Sequence, residues 1–427
     1  MIELIDAKRT ALETIIERKA SIQPDVSSAV VSIITDVRTR GDAALREYTL
    51  RFDEAEIGEF KVSGDEIRSA LADTPPEFIA ILESAADNIR RYHSRQLREG
   101  YEMKESGGIV MGQRVKPLDR VGVYIPGGTA PYPSTVLMNV IPAKLAGVGE
   151  VFITTPPDRD GVVDKAILAA ASIAGADEIY KIGGAQAIAA LTYGTESIPK
   201  VDKIVGPGNI YVAAAKKHVF GEVGIDMIAG PSDILIIADE TACPAFVAAD
   251  LLSQAEHDEN SAVVLITPCA ALAEKVRAEL EKQIVSLERR GVAEAAVRRN
   301  GRFILAEDLN HAAELSNALA PEHVELCVSD PFALLERIRH AGSVFLGHHT
   351  PEALGDYCAG PNHTLPTLGA ARFSSPLSVD DFIKKSSYLS YSREAFAAAA
   401  PTVTAFAEKE GLTGHANSIR IRMGGMI

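Results

Sequence analysis

Tryptophan is absent from this chain, and aromatic residues make up 6% of its 427 residues. The core must therefore be aliphatic, packed by branched side chains rather than large rings. Cysteine is scarce: Cys243, Cys269, Cys327 and Cys358 stand far apart and form no CxxC pair. That excludes a disulfide scaffold and a thiolate zinc knot, and it reads as the reduced thiols of a cytoplasmic protein. No apolar run approaches the roughly 20 residues of a membrane-spanning helix. The opening stretch, "MIELIDAKRTALETIIERKA", is charged throughout and lacks the form of a secretory signal. Basic residues are outnumbered, 43 Lys and Arg against 58 Asp and Glu, for a formal charge of −15. This balance argues against a nucleic-acid backbone or an anionic membrane as partner, but leaves room for a nucleotide in a local pocket.

What is present is a globular pattern, 47% hydrophobic and 24% charged, too long for one ordinary core. Apolar residues recur at helical spacing through the first hundred positions, as in "EFIAILESAADNIRRYHSRQLRE". Strands and helices then alternate. A first series runs "GVYIPGG", "EVFITTPP", "DEIYKIGG" and "VDKIVGPG"; a second runs "DILIIAD", "SAVVLITP", "RFILAED", "HVELCVSD" and "GSVFLG". Apolar strands spaced by helices mean parallel sheets covered on both faces. The fold class expected is α/β: two Rossmann-like parallel-sheet units, with helical N-terminal and C-terminal segments. Neither unit carries the GxGxxG dinucleotide fingerprint after its first strand. The expected division is a helical segment at 1–22, a first α/β domain from 23–123 and 231–377, a second at 124–230, and a helical tail at 378–427. Within that tail both "VDDFIKKSSYLSYSREAF" and "PTVTAFAEKEG" read as helices too small to bury a core of their own.

Three Gly-rich strand ends, "YIPGGTAPYPST", "KIGGAQAIAA" and "VGPGNIYV", carry Tyr124, Gln186 and Asn209. Backbone N–H groups at such helix starts can meet a phosphate. A tight turn explains each one alone; three in one α/β series point to a ligand crevice. In "LLSQAEHD", Gln254 and His257 share a helix face, placed at the carboxyl edge of a sheet. Asp356 and His363 lie in a stretch rich in Gly, Pro and His, and His415 follows Gly414. A mixed nitrogen and oxygen set suits zinc among other divalent ions, although capping and loop packing account for each residue separately. "APEHVELCV" sets Glu322 beside His323, the makings of an acid–base pair. Taken alone, an exposed turn is the simpler account of that pair.

Collectively, "RVGVYIPGGTAPYPSTVLMN", "GGAQAIAALTYGTESIPKVDKIVGPGN", "DMIAGPSDILIIAD", "LLSQAEHD", "APEHVEL" and "GDYCAGPNHTLPT" closely resemble the histidinol dehydrogenase family, over nearly the whole chain. The resemblance implies oxidation of L-histidinol through L-histidinaldehyde to L-histidine, the last steps of histidine biosynthesis, with two NAD and one zinc per active site. It implies that Gln254, His257, Asp356 and His415 hold zinc and that Glu322 and His323 are the acid–base pair. It implies that Ser232, His363 and Glu410 touch the substrate, as do the zinc ligands and His323, and that Tyr124, Gln186 and Asn209 bind NAD. Asp233 departs locally, since Glu is also common there. The family's tail crosses a two-fold axis, which implies a homodimer with shared active sites, and no nucleic-acid or membrane partner. The alternatives are a related dehydrogenase of another amino alcohol or diol, and a zinc hydrolase using Glu322.

Overall fold

A computed structural model describes residues 2, 4–16, 25–127, 131–228 and 230–424. Strand β1 (Leu4–Asp6) precedes the helices Ser27–Arg40, Asp42–Asp53, Gly64–Asp73 and Pro76–His93. β2 (Tyr101–Glu105) and β3 (Ile109–Pro117) follow. The first α/β series supplies β4 (Arg120–Tyr124), β5 (Glu150–Thr155), β6 (Glu178–Lys181), β7 (Lys203–Val205) and β8 (Gly224–Ile225). The second supplies β9 (Asp233–Ala238), β10 (Ala262–Thr267), β11 (Arg302–Leu305), β12 (His323–Cys327) and β13 (Ser343–Leu346). β14 (Ile383–Tyr391) comes last. The chain divides into two compact units, residues 1–96 with 118–382, and residues 97–117 with 383–427.

The larger unit holds two parallel sheets. One has the order β6-β5-β4-β7-β8, the other β1-β11-β10-β9-β12-β13. In each, the series starts at the middle, runs outward, then returns to the other side, so each has a point where the strand order reverses. Strand periodicity assigns the cores. Ile234, Ile236, Val263, Leu265 and Phe303 enter one cluster, and the alternate residues Leu235, Ile237, Val264, Ile266 and Ile304 enter another. These strands are buried on both faces, which is why they read as unbroken apolar runs rather than alternating ones.

The expected domain division differs from this packing. Helices from residues 27–93 cover the five-stranded sheet: Ile89, Ala86 and Leu82 pack with Val121 and Val151, while Val30, Ile34 and Leu45 pack with Phe152 and Ile188. β4 is that sheet's central strand, so residues 27–123 go with 124–225 and not with the later series. Amphipathic stripes say that a helix packs, not on which sheet. The N-terminal segment also departs from expectation. Leu4–Asp6 pairs with β11 as an edge strand and Leu12–Ile16 is helical, while 17–24 lie outside the described residues.

The smaller unit is a three-stranded antiparallel sheet, β14-β3-β2, with helices Arg393–Lys409 and Thr413–Gly424. The expected helix over "VDDFIKKSSYLSY" is wrong for 383–391. That stretch pairs residue for residue with β3, from Ile383 opposite Pro117 to Tyr391 opposite Ile109. A long antiparallel partner supplied from 266 to 282 residues upstream overrides weak local spacing. Among the described residues no helix is long and apolar enough to cross a membrane.

Candidate active site

At the carboxyl edge of the five-stranded sheet lies a cavity of about 860 Å³, lined by Tyr124, Gln186, Asn209, Asp53 and Arg159 among others. The turns after β4, β6 and β7 build it, each opening a helix as the glycine pattern predicts. Gly206 follows β7 with φ +105°, and a Cβ there would lie 2.2 Å from the Tyr124 carbonyl oxygen, so only glycine closes this turn. Its N–H donates to Asp226 (2.8 Å), whose carboxylate also pairs with the buried Lys216. Tyr124 is buried, its phenol pushed up to about 12 by that burial, and its oxygen accepts from the Gly184 N–H (3.1 Å). Asn209 caps helix Ile210–Val219 with its Oδ1, at 3.0 Å from Tyr211 N, so its amide N–H groups stay outside the cap. Gln186 is 1% exposed and its Oε1 has no partner among the described residues. An orphaned buried acceptor and helix starts at the strand ends fit a dinucleotide.

The expected acid–base residues belong to the second sheet. Glu322 precedes β12 and His323 begins it, both 4% exposed. The His323 Nδ1 lies 3.0 Å from the Asp233 carbonyl oxygen, which can only accept. The proton therefore sits on Nδ1, and Nε2 carries the lone pair. Nε2 is buried without a hydrogen-bond partner among the described residues, 3.5 Å from Glu352 Oε1. Burial holds the imidazole below its ordinary pKa, with Asp356 and Asp233 pulling the other way. Asp233 and Glu322 clamp each other: Glu322 N donates to Asp233 Oδ1 (2.7 Å) and Asp233 N to Glu322 Oε2 (3.2 Å). Glu322 also bonds Ser232, and burial together with the Asp233 charge pushes its carboxyl well up.

Gln254 and His257 do not lie where the sequence pattern put them. The helix Pro244–Ala255 runs down from the carboxyl end of β9, so its last turn reaches the amino edge of the six-stranded sheet, not the carboxyl edge. Gln254 is fully buried there, and His257, just past the helix, is exposed. Oriented by its hydrogen bonds, the Gln254 amide nitrogen donates to Glu352, which turns the amide oxygen away from that carboxylate. Asp356, in the helix Glu352–Tyr357, accepts through its carbonyl from His363 Nδ1 (2.9 Å). The His363 Nε2 in turn lies 3.4 Å from Thr135 Oγ1, at the start of the helix that follows β4. Ser232, Gln254, Glu322, His323, Asp356 and His363 are thus joined through direct bonds and their immediate neighbours, while Glu410 and His415 lie in the smaller unit.

Glu352 was missed from sequence. It is 3% exposed, and with His323 and Asp356 it offers ligand atoms all within 4.8 Å of one another. The legible signal was its position four residues before Asp356 on one helix face. Burial pushes Glu352 well up, reinforced by Asp356 and Glu325. So many carboxyl groups out of water around neutral imidazoles call for a cation, and the oxygen and nitrogen donors suit zinc. The site fits such an ion.

A family model described as histidinol dehydrogenase matches residues 16–423. A histidinol dehydrogenase of Clostridium acetobutylicum is 53% identical over 406 residues, covering 95% of this chain and 94% of that one. One of Geobacillus kaustophilus is 54% identical over 395 residues, covering 92% and 93%. The crystal structure of histidinol dehydrogenase from Elizabethkingia anophelis superposes with a TM-score of 0.95 at 40% identity, covering 100% of this chain and 98% of that one.

Behind His323 the acid cluster has a measurable consequence. Glu325, 1% exposed, accepts from Glu352 N (2.8 Å) and shares a hydrogen bond with Asp250; burial and the Asp250 charge push it well above its ordinary 4.5. A carboxyl raised in this way keeps its proton in the native state. Its stabilising contribution is full below pH 4.5 and is lost as pH climbs through the raised folded value. Glu325→Gln keeps the acceptor for Glu352 N–H and lets an amide donate to Asp250. It is expected to flatten the loss of stability toward alkaline pH and to be the more stable form there. Urea midpoints across acid to alkaline pH check this; parallel slopes for the two chains would exclude Glu325 as a source.

Proposed function

The chain belongs to the histidinol dehydrogenase family, and from that premise we propose that it oxidises L-histidinol to L-histidine through L-histidinaldehyde, using NAD and zinc, as the closing steps of histidine biosynthesis in the cytoplasm. The observation that carries this is the His323 tautomer: Nδ1–H is spent on the Asp233 carbonyl, and Nε2 stands unpartnered in the acid cluster. An imidazole held neutral with one open nitrogen is the base that alcohol oxidation needs.

The residues then take these parts. His323 Nε2 removes the proton from the alcohol and again from the hydrated aldehyde. In its ionised form Glu322, a stronger base for being buried, draws the proton from the water that adds to the aldehyde. Ser232, His363 and Glu410 touch the substrate, and Tyr124, Gln186 and Asn209 would seat NAD, which would supply a hydride acceptor. Gln254, His257, Asp356 and His415 would hold zinc, which supplies a template for the imidazole and amine of histidinol rather than activation of the alcohol. Asp233 anchors the base through its carbonyl oxygen and the Glu322 N–H through its carboxylate.

His415 and Glu410 come from the smaller unit. That unit exposes Leu389, Phe406 and Ile421, each more than 60% accessible, an apolar surface that an assembly would cover. The reading that follows is a homodimer in which each tail completes the partner's site.

Purified chain with zinc, histidinol and NAD should reduce two NAD per histidinol; no reduction would end this reading. His323→Asn should leave histidinol binding intact and lower turnover by about 10²–10⁴-fold. Near-normal turnover from neutral to mildly alkaline pH would reject His323 as the base.

Zinc is checked separately. His257→Ala should lose metal and activity together, and wild type should release metal as pH falls, because the ligands must be deprotonated. A metal-free preparation, verified by elemental analysis, that runs at full rate would remove zinc from the mechanism.

The dimer predicts complementation. His415→Ala and His323→Asn chains, each strongly impaired, are unfolded and refolded together. If sites are shared, each mixed dimer carries one doubly damaged and one intact site, and activity returns toward about a quarter of wild type for random pairing. If each chain completes its own site, none returns.

A further inference from the structure

Asp53 lines the same cavity as Tyr124, Gln186 and Asn209, yet nothing so far gives it a task. It is the last residue of the helix Asp42–Asp53. The next residue, Glu54, turns the chain with φ +56°, a left-handed conformation adopted here by a residue with a side chain. Such a backbone persists where surrounding structure holds it, and sites of function concentrate it. Arg159, from the segment after β5, clasps Glu54 at 2.9 Å and ties this corner to the opposite wall.

The charges around the cavity are the second observation. Three carboxylates line it: Asp53, Asp158 and Asp164. Asp164 is occupied as the cap of the helix Lys165–Ala174, accepting from Ala166 N at 2.8 Å. Asp158 accepts from Asp160 N and Val162 N, at 3.0 and 2.8 Å, and holds its own turn. The Asp53 Oδ2 is buried and has no hydrogen-bond partner among the described residues. Phe52 and Ile33 line the cavity beside it, and burial pushes its carboxyl up to about 6. Among the described lining residues the one cationic side chain is Arg159, and Glu54 already holds it.

An unsatisfied carboxylate at the wall of a dinucleotide crevice needs donors, and a ribose diol offers two in a geometry that one carboxylate can accept. A ribose bearing a 2′-phosphate would instead bring nearly two negative charges toward three acids and no free cation. We propose that Asp53 selects the cofactor, accepting hydrogen bonds from a ribose diol of NAD and repelling the 2′-phosphate of NADP. This rests on the crevice being the NAD site. It adds a specificity residue supplied by a helix end rather than by the strand-end acid of the GxGxxG folds, in keeping with the missing fingerprint.

The test is binding before turnover. Fluorescence titration of the zinc-loaded dimer with NADH and with NADPH gives the two dissociation constants for wild type, Asp53→Asn and Asp53→Ser. Both variants should weaken NADH by about 10–100-fold, the usual worth of a hydrogen bond to a charged group, and leave NADPH unchanged or tighter. The NADH preference therefore falls by at least about tenfold. The kcat/KM ratio for NAD over NADP should fall in parallel, through KM, with kcat within about twofold. Urea midpoints identify any variant that has not folded, and Asp53→Ser stands in if the amide is not tolerated. Gln186→Ala separates the two readings. If it leaves NADH binding untouched, the crevice is not the dinucleotide site. If it weakens NADH while the Asp53 variants keep the wild-type preference, or weaken both nucleotides equally, Asp53 does not select the cofactor.

Discussion

Burial of carboxyl groups around one imidazole is the constraint on which the rest of the site depends. Glu322, Glu325 and Glu352 are each at most 4% exposed, and Asp233 is equally buried. Ionised carboxylates out of water are costly, so such groups hold protons, accept backbone N–H bonds or share a cation. All three remedies have their means here. Backbone N–H groups of Asp233, Glu322 and Glu352 are spent on these acids, burial raises Glu322, Glu325 and Glu352, and a metal donor set surrounds what is left. The same burial keeps His323 neutral, and the Asp233 carbonyl decides which nitrogen stays open.

The two sheets carry their candidate sites at opposite edges, and the charges at those edges differ. At the carboxyl edge of the five-stranded sheet, helices begin at Pro133, Gly184 and Ile210, presenting N–H groups and the positive ends of their dipoles. That edge suits the phosphates of a dinucleotide. At the amino edge of the six-stranded sheet, the helix Pro244–Ala255 ends beside Gln254, so carbonyls and acids face the site. That edge suits a cation and the proton chemistry of His323. Contact between His363 and Thr135 joins the two edges. The crevice and His323 thus lie in one connected region although they stand on different sheets.

Much of this was legible. The strands of both series, the helices between them and the turns at Tyr124, Gln186 and Asn209 follow from unbroken apolar runs punctuated by glycine. Burial on both faces and tight strand-to-helix turns leave that mark whatever the tertiary arrangement. Illegible were the features set by partners remote in sequence. Residues 383–391 become a strand because β3 is there to pair with them. Helices 27–93 join the five-stranded sheet because its faces fit their stripes. Asp53 reads as one more acid in "RFDEAE" until the cavity closes over it.

By itself, then, the sequence determined the α/β class, the number of parallel series and the family, since local periodicity and long motifs are properties of contiguous residues. Tertiary structure alone decided the tautomer of His323, the edge at which Gln254 and His257 stand, and the entry of Glu352 beside Asp356. Each of these depends on a carbonyl, a helix direction or a carboxylate brought from a distant part of the chain. Hydrogen bonds and desolvation act over a few ångströms of space, and no spacing along the chain encodes that distance.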